Sequence, residues 1–372
     1  MEENNEIAIT IKPTMSCNMR CRHCFNADLR KQRDSLPLST AVRFLELAAD
    51  FSRDVKVTLH GGEPSLMGAA YYRELFRNEQ RIAAEKGVVF ANRFTTNALL
   101  LKGELLDVLL ANDARLKISF DGPFNDDLRE KTEIVKKNIS EARVRGAKII
   151  ILCTLARNAS NHLLELYKWF NEWGLDIKLL PIEPRGFALF NNNLLLQEDE
   201  FANALKTAYN YWLHDTKCQI SCTTFEDFAM IRSTQQYKPF WFRREIALNP
   251  DGHIHPFGRP NDIRYDLGRP EDINSLEDCF QSDVYKNLMN FLKGKRAVYC
   301  EACPACGSCN GVCLFMGYMY TDSEALLQRS CRISRKIFDI ALESNDIAYN
   351  DWLSGKQKSL NPRAIQALLY DR

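Results

Sequence analysis

From residue 7 to residue 182 the chain alternates short β-rich runs with longer stretches whose apolar residues recur at helical spacing. The β-rich runs are "IAITIK" (7–12), "VKVTLH" (55–60), "VVFANRFTT" (88–96), "RLKISF" (115–120), "AKIIILCTL" (147–155) and "LDIKLLPI" (175–182). Segments such as "LSTAVRFLELAADF" and "NHLLELYKWFNEWG" lie between them, with Ser, Asn or Gly at a start or an end, as helix boundaries have. Strands alternating with helices build βαβ units and a parallel sheet, so the expected fold class is α/β. Six repeats predict an open, partial (β/α)6 TIM barrel rather than a closed eight-stranded one. In such folds the reactive loops follow the carboxyl ends of the strands. Four of those ends carry notable residues: three cysteines, then "GGEP", "TTN" and "SFDG", expected to converge on one rim.

Residues 183 to about 240 read as a mostly helical connector. "EIALNPDGHIHPF" then gives two short β runs about an Asp-Gly pair, a hairpin signal. A last helical run, "ALLQRSCRISRKIFDIALES", is expected to end the ordered part, and the final twenty or so residues carry no motif. The expected division is a barrel over 1–235, a small cysteine-rich domain over 236–345 and a tail over 346–372.

Composition narrows the field. A hydrophobic share of 45%, a charged share of 26% and a formal net charge of +1 belong to an ordinary globular protein, without the field that attracts nucleic acid or an anionic membrane surface. No apolar run reaches membrane-spanning length and the first residues are acidic, so the expected location is cytoplasmic. Thirteen cysteines in a reducing compartment point to metal rather than disulfides, because most fall into two dense groups. One is Cys17, Cys21 and Cys24; the other is Cys300, Cys303, Cys306, Cys309 and Cys313, with Cys331 trailing. Cys153 reads as a small buried hydrophobe; Cys218, Cys222 and Cys279 are scattered.

The amino-terminal loop "SCNMRCRHCF" has unequal spacings and no companion pair, which fits a structural zinc site badly even with His23 as a fourth ligand. Three thiolates on an iron-sulfur cluster would leave one iron without a protein ligand, a place for chemistry. Cys17-x3-Cys21-x2-Cys24 after the first strand, followed by "GGEP", resembles the radical S-adenosylmethionine enzymes. The resemblance implies that Cys17, Cys21 and Cys24 hold a 4Fe-4S cluster whose open iron is chelated by S-adenosyl-L-methionine. Reductive cleavage would then yield a 5'-deoxyadenosyl radical. It also implies that Gly61, Gly62 and Glu63 hold the methionine amino group, and that Thr96, Asn97, Ser119 and Asp121 contact the methionine and ribose parts. Arg157 would pair with the methionine carboxylate, the Phe25 backbone would meet the adenine, and His23 would be a neighbour of the cluster rather than a ligand.

The carboxyl-terminal run "CEACPACGSCNGVC", with "NPDGHIHP" before it, resembles the SPASM extension of radical S-adenosylmethionine enzymes that act on peptides and proteins. That extension binds two auxiliary clusters, but Phe257 and Ile273 stand where ligands of the first belong. The resemblance therefore implies one auxiliary 4Fe-4S cluster, on Cys300, Cys303, Cys309 and Cys331. Cys313 becomes an orphan of the lost cluster, Cys306 has no counterpart, and Cys279 is an unexpected ligand candidate.

The implied function is a maturase of ribosomally made peptides (RiPP biosynthesis) that forms a crosslink, served by a precursor peptide or protein and an external reductant such as flavodoxin or ferredoxin. No separate amino-terminal leader-binding domain is expected, so recognition would use the barrel mouth, the extension or another protein. An anaerobic sulfatase-maturating, formylglycine-generating enzyme is an alternative, disfavoured by the lost cluster. A peptide epimerase is another, needing a hydrogen-donating cysteine such as Cys153, Cys218, Cys222 or Cys306. A non-catalytic zinc scaffold is the reading from a different class.

Overall fold

The computed structural model describes residues 6–26, 34–182, 184–231, 245–257, 262–306, 309 and 323–368. Six parallel strands follow one another in space as in sequence: β1 (Glu6–Thr14), β2 (Asp54–Gly61), β3 (Val89–Thr96), β4 (Arg115–Ser119), β5 (Ile149–Leu155) and β6 (Ile177–Pro181). Each matches a run read from the sequence to within two residues. The hairpin also forms, as β7 (Glu245–Leu248) and β8 (Ile254–Pro256), but it is not separate from the barrel. Its first strand lies parallel to β1, with Ile9 opposite Ile246, and completes an eight-stranded sheet.

Alternation along the strands separates two unlike faces. Ile7, Ile9 and Ile11 of β1, Val55, Val57 and Leu59 of β2, and Leu116 and Ile118 of β4 are buried against the helices. The helix Leu38–Phe51 answers with Ala41, Phe44, Leu45 and Ala48, one stripe at helical spacing; Leu163–Trp173 does so with Leu163, Leu166, Tyr167 and Phe170. The opposite, concave face carries polar residues that are mostly half-buried, including Thr58, His60, Lys117, Ser119 and Lys178.

The carboxyl-terminal helical run is longer than its sequence pattern suggests. The helix spans Glu324–Leu353, passing position 345 without a break, and a further helix covers Pro362–Leu368. The ordered part therefore does not end near residue 344. Asn345 is the pin: its side-chain nitrogen donates to the carbonyls of Phe228 (2.9 Å) and Ile231 (2.7 Å), while Tyr209 donates its hydroxyl to Asn345 Oδ1 (2.6 Å). Asn361, fully buried, donates from its backbone and side chain to Leu213 and Trp212 carbonyls. Among the described residues no helix is long and apolar enough to cross a membrane.

Candidate active site

The three-cysteine loop leaves β1 and is held by the loop after β2. Gly62 donates its amide to the Thr14 carbonyl (2.9 Å) and Glu63 donates to that of Ser16 (2.8 Å). The approach is so close that a Cβ on Gly62 would stand 2.2 Å from the Met15 carbonyl oxygen and 2.3 Å from that of Ser16. Gly61, at φ +121, would meet the Thr14 oxygen at 2.3 Å. The glycines of "GGEP" are thus required by the chain's own backbone. Further along, Asn26 donates its side-chain amide to the Gly61 carbonyl, and the Cys24 carbonyl accepts from Phe187.

Glu63 is buried to 1% exposure and ties the second strand end to the third. Its Oε1 accepts from the Ser65 amide (3.1 Å) and the Thr96 hydroxyl (2.7 Å), and its Oε2 accepts from the Asn97 amide (2.7 Å). Burial pushes its pKa up while these donors oppose the shift. Three of about four acceptor positions are thereby used inside the protein, so Glu63 acts first as a bracket. Asn97 extends the bracket to the cysteine loop: its Nδ2 donates to Asn18 Oδ1 at 2.7 Å and stands 3.9 Å from Cys17 Sγ.

At the fourth strand end the sequence reading needs correction. Asp121 is fully buried and does not present its carboxylate at the rim. Its Oδ2 accepts from Arg129 Nε (2.6 Å) and its Oδ1 from the Thr154 amide (2.7 Å). Arg129 in turn places Nη1 3.9 Å from Cys21 Sγ and donates from Nη2 to Thr154 Oγ1. Burial works against the guanidinium charge, but Asp121 and Cys21 prevail and raise its pKa. The sequence reading missed Arg129, which sits in "DDLREK" with nothing to mark it. Ser119 remains half-buried on the concave face.

Arg157 is also placed differently. It opens a short helix and is clamped by both carboxylate oxygens of Glu200, at 2.9 and 3.1 Å, on the exposed side. Phe25 follows the third cysteine, its ring covered by Arg185 at 4.5 Å. His23 is held neutral by burial and by Arg129 nearby. Cys153, at 0% exposure, faces the helices with Ile151 and Leu155, which removes it as a hydrogen donor to the concave face; Cys222 is equally buried.

The second cysteine group gathers around Leu327. Cys300 ends the helix Asp283–Cys300, Cys331 lies on Glu324–Leu353, and both pack on Leu327 together with Cys309. Cys303 follows in tight turns, its amide bonded to the Cys300 carbonyl (3.0 Å). Burial and the thiols of Cys309, Cys306 and Cys331 push the Cys300 pKa up to about 12. Cys306 belongs to the same neighbourhood and accepts from Arg296 at 3.2 Å. Phe257, by contrast, is 1% exposed at φ +61 and packs on Leu288 and Leu292. Cys279 is buried in the main core near the Leu267 carbonyl; Cys313 lies outside the described residues.

Among the described residues no three His, Cys, Asp or Glu side chains converge on the volume of a single metal ion. Cys17, Cys21 and Cys24 are nonetheless half-buried on one short loop and sense one another's charge. That donor set suits a cluster, in which each thiolate meets its own iron.

Residues 11–168 match the model of the radical SAM superfamily. The chain is 23% identical over 363 residues to a cysteine-type anaerobic sulfatase-maturating enzyme of Clostridium perfringens, covering 90% of this chain and 96% of the relative. The corresponding enzyme of Clostridium novyi is 22% identical, over 76% of this chain and 82% of its own length. The structure of anSMEcpe with bound AdoMet and Cp18Cys peptide superposes with a TM-score of 0.77 at 18% identity, over 93% of this chain and 99% of that one. Streptococcus suis SuiB bound to the precursor peptide SuiA gives 0.52 at 16%, over 76% and 66%. These superpositions establish a common fold.

Proposed function

We propose that this chain, an enzyme that belongs to the radical S-adenosylmethionine superfamily, removes a hydrogen from a residue of a peptide or protein and leaves a crosslink there. One observation carries the reading. A half-buried three-thiol loop, braced at the carboxyl ends of the strands, adjoins a concave sheet face where polar side chains such as Thr58, His60, Lys117 and Ser119 stand beside the half-buried Ile150 and Leu152, which leaves a substrate somewhere to lie.

When bound, the cluster and S-adenosylmethionine supply a radical able to take an unactivated hydrogen. Cys17, Cys21 and Cys24 would hold the cluster. The Gly61–Gly62 backbone, Thr96, Asn97, Ser119 and the Phe25 backbone would line the cofactor, with Glu63 and the Asp121–Arg129 pair fixing their positions. Cys300, Cys303, Cys309 and Cys331 would hold one auxiliary cluster. A second is not proposed, because Phe257 packs into an apolar group at the corresponding place. A reduced flavodoxin or ferredoxin would deliver the electron, in the cytoplasm.

Formylglycine formation is the second reading, favoured by the alignment over nearly the whole of the Clostridium perfringens enzyme. Anaerobic reconstitution followed by dithionite and S-adenosylmethionine tests both: release of 5'-deoxyadenosine is expected, and zinc with no cleavage overturns them. Mass spectrometry of a precursor peptide encoded beside this chain should show loss of two hydrogens. An aldehyde trapped on a cysteine-containing sulfatase peptide would decide for the second reading.

A further inference from the structure

The concave face of the sheet is basic. Lys12 of β1, Arg93 of β3, Arg115 and Lys117 of β4 and Lys178 of β6 alternate with the helix-facing core residues, and by parallel register they share one side. Arg93 stands opposite Arg115, Thr95 opposite Lys117, and Leu152 opposite Lys178. Glu245, at the start of β7 and opposite Ala8, is an acid whose charge reaches Lys117, and Glu6 and Asp54 stand at the amino-terminal end of the same side. On the same side Lys56 already pairs with Glu6, and outside the strands Lys148 pairs with Asp113 and Lys206 with Glu343. Lys117 and Lys178, both half-buried, make no hydrogen bond or ion pair with a described residue.

Such an arrangement is unfavourable by itself, since a half-buried ammonium with no hydrogen-bonded partner among the described residues raises the free energy. Burial pushes Lys117 down to about 8, repulsion from Arg93 and Lys178 adds to the shift, and Glu245 opposes it. The chain's net charge of +1 conceals this local excess, which a concave wall of low dielectric concentrates. Lys117 also lies two residues before Ser119 on the same face of β4, deeper than the rim that carries the cysteines.

We infer that Lys117 and Lys178, with Arg93 beside them, form an anion subsite that receives a carboxylate of the substrate peptide. The carboxylate belongs either to an acidic side chain or to the chain terminus. This rests on the peptide-modifying reading above and names the class of peptide.

The test uses the reconstituted holoenzyme and three pentapeptides, Ac-GGEGG-NH2, Ac-GGQGG-NH2 and Ac-GGAGG with a free carboxyl end, titrated by calorimetry at low salt. The Glu peptide or the free-acid peptide should bind about tenfold tighter than the Gln peptide, the amount a charge-assisted hydrogen bond supplies, and whichever does so identifies the source of the carboxylate. The double variant Lys117→Met, Lys178→Met should lose that preference with its iron content unchanged, and Lys117→Arg, Lys178→Arg should keep it. Equal binding of all three peptides, no binding of any, or a preference that survives the Met variants would overturn the subsite. Because binding is read without turnover, a carboxylate preference in an enzyme that modifies no peptide would overturn the functional reading and leave the subsite standing. Cofactor cleavage without any preference would do the reverse.

Discussion

The backbone amide of Asn97 donates to Glu63 Oε2 at 2.7 Å, joining the ends of β3 and β2 inside the protein. Removing the carboxylate strands three donors: the amides of Ser65 and Asn97 and the hydroxyl of Thr96. Glu63→Ala should therefore lower stability by about 3 kcal/mol or more, whereas Glu63→Gln retains acceptor capacity and loses less. Urea unfolding of the two variants measures the difference, and equal losses would contradict the bracket.

Gly62 leaves no room for a side chain. Gly62→Ala drives a methyl into the carbonyls of Met15 and Ser16 and must displace the cysteine loop. The expected outcome is a folded protein with a normal circular dichroism spectrum that assembles fewer irons and releases little 5'-deoxyadenosine. Gly294→Ala, on the helix Asp283–Cys300 with nothing within 4 Å of the added carbon, should change neither.

The Asp121–Arg129 pair is buried, so its halves should behave non-additively. Arg129→Met leaves an unpaired carboxylate in the interior and should cost about 3–5 kcal/mol. The double variant with Asp121→Asn should recover part of that loss. A double-mutant cycle in urea reads the coupling, and strict additivity would show that the two side chains do not depend on each other.

The two cysteine groups should separate chemically. Cys300→Ala is expected to remove about four irons per chain and leave 5'-deoxyadenosine release in place, because Cys17, Cys21 and Cys24 are untouched. Cys17→Ala should remove the release itself. Iron assay and chromatography of the nucleoside check both.

Glu79 gives a pH dependence free of the metal site. It is buried, accepts from Asn92 at 2.6 Å, and desolvation raises its pKa to about 7. Its folded pKa exceeds the unfolded value, so its contribution is complete below the ordinary carboxylate range and is lost as pH rises toward 7. Glu79→Gln should flatten this decline and gain stability of about 1–3 kcal/mol at pH 8 relative to the parent. Thermal unfolding at pH 5 and pH 8 measures it.

Much of this molecule is legible along the chain. The six βα repeats and the hairpin follow from local periodicity and turn chemistry, which act over a few residues. The three-cysteine loop follows from its spacing, and its place after a strand already indicated a reactive rim. What the chain by itself could not determine depends on residues brought together from far apart. Arg129 reaches Cys21 across 108 positions, and Arg157 is taken by Glu200 across 43. Asp121 and Glu63 carry polar motifs that suggest ligand contact, but packing decided that they face inward as brackets.

The concave face shows the same division. The alternation of Lys117 and Lys178 with apolar neighbours determined that they share a side opposite the core, and period 2 can say no more than that. Only the tertiary structure decided that this side curves inward beneath the rim. Register across six strands, not local propensity, sets which charges gather and whether water or substrate must satisfy them.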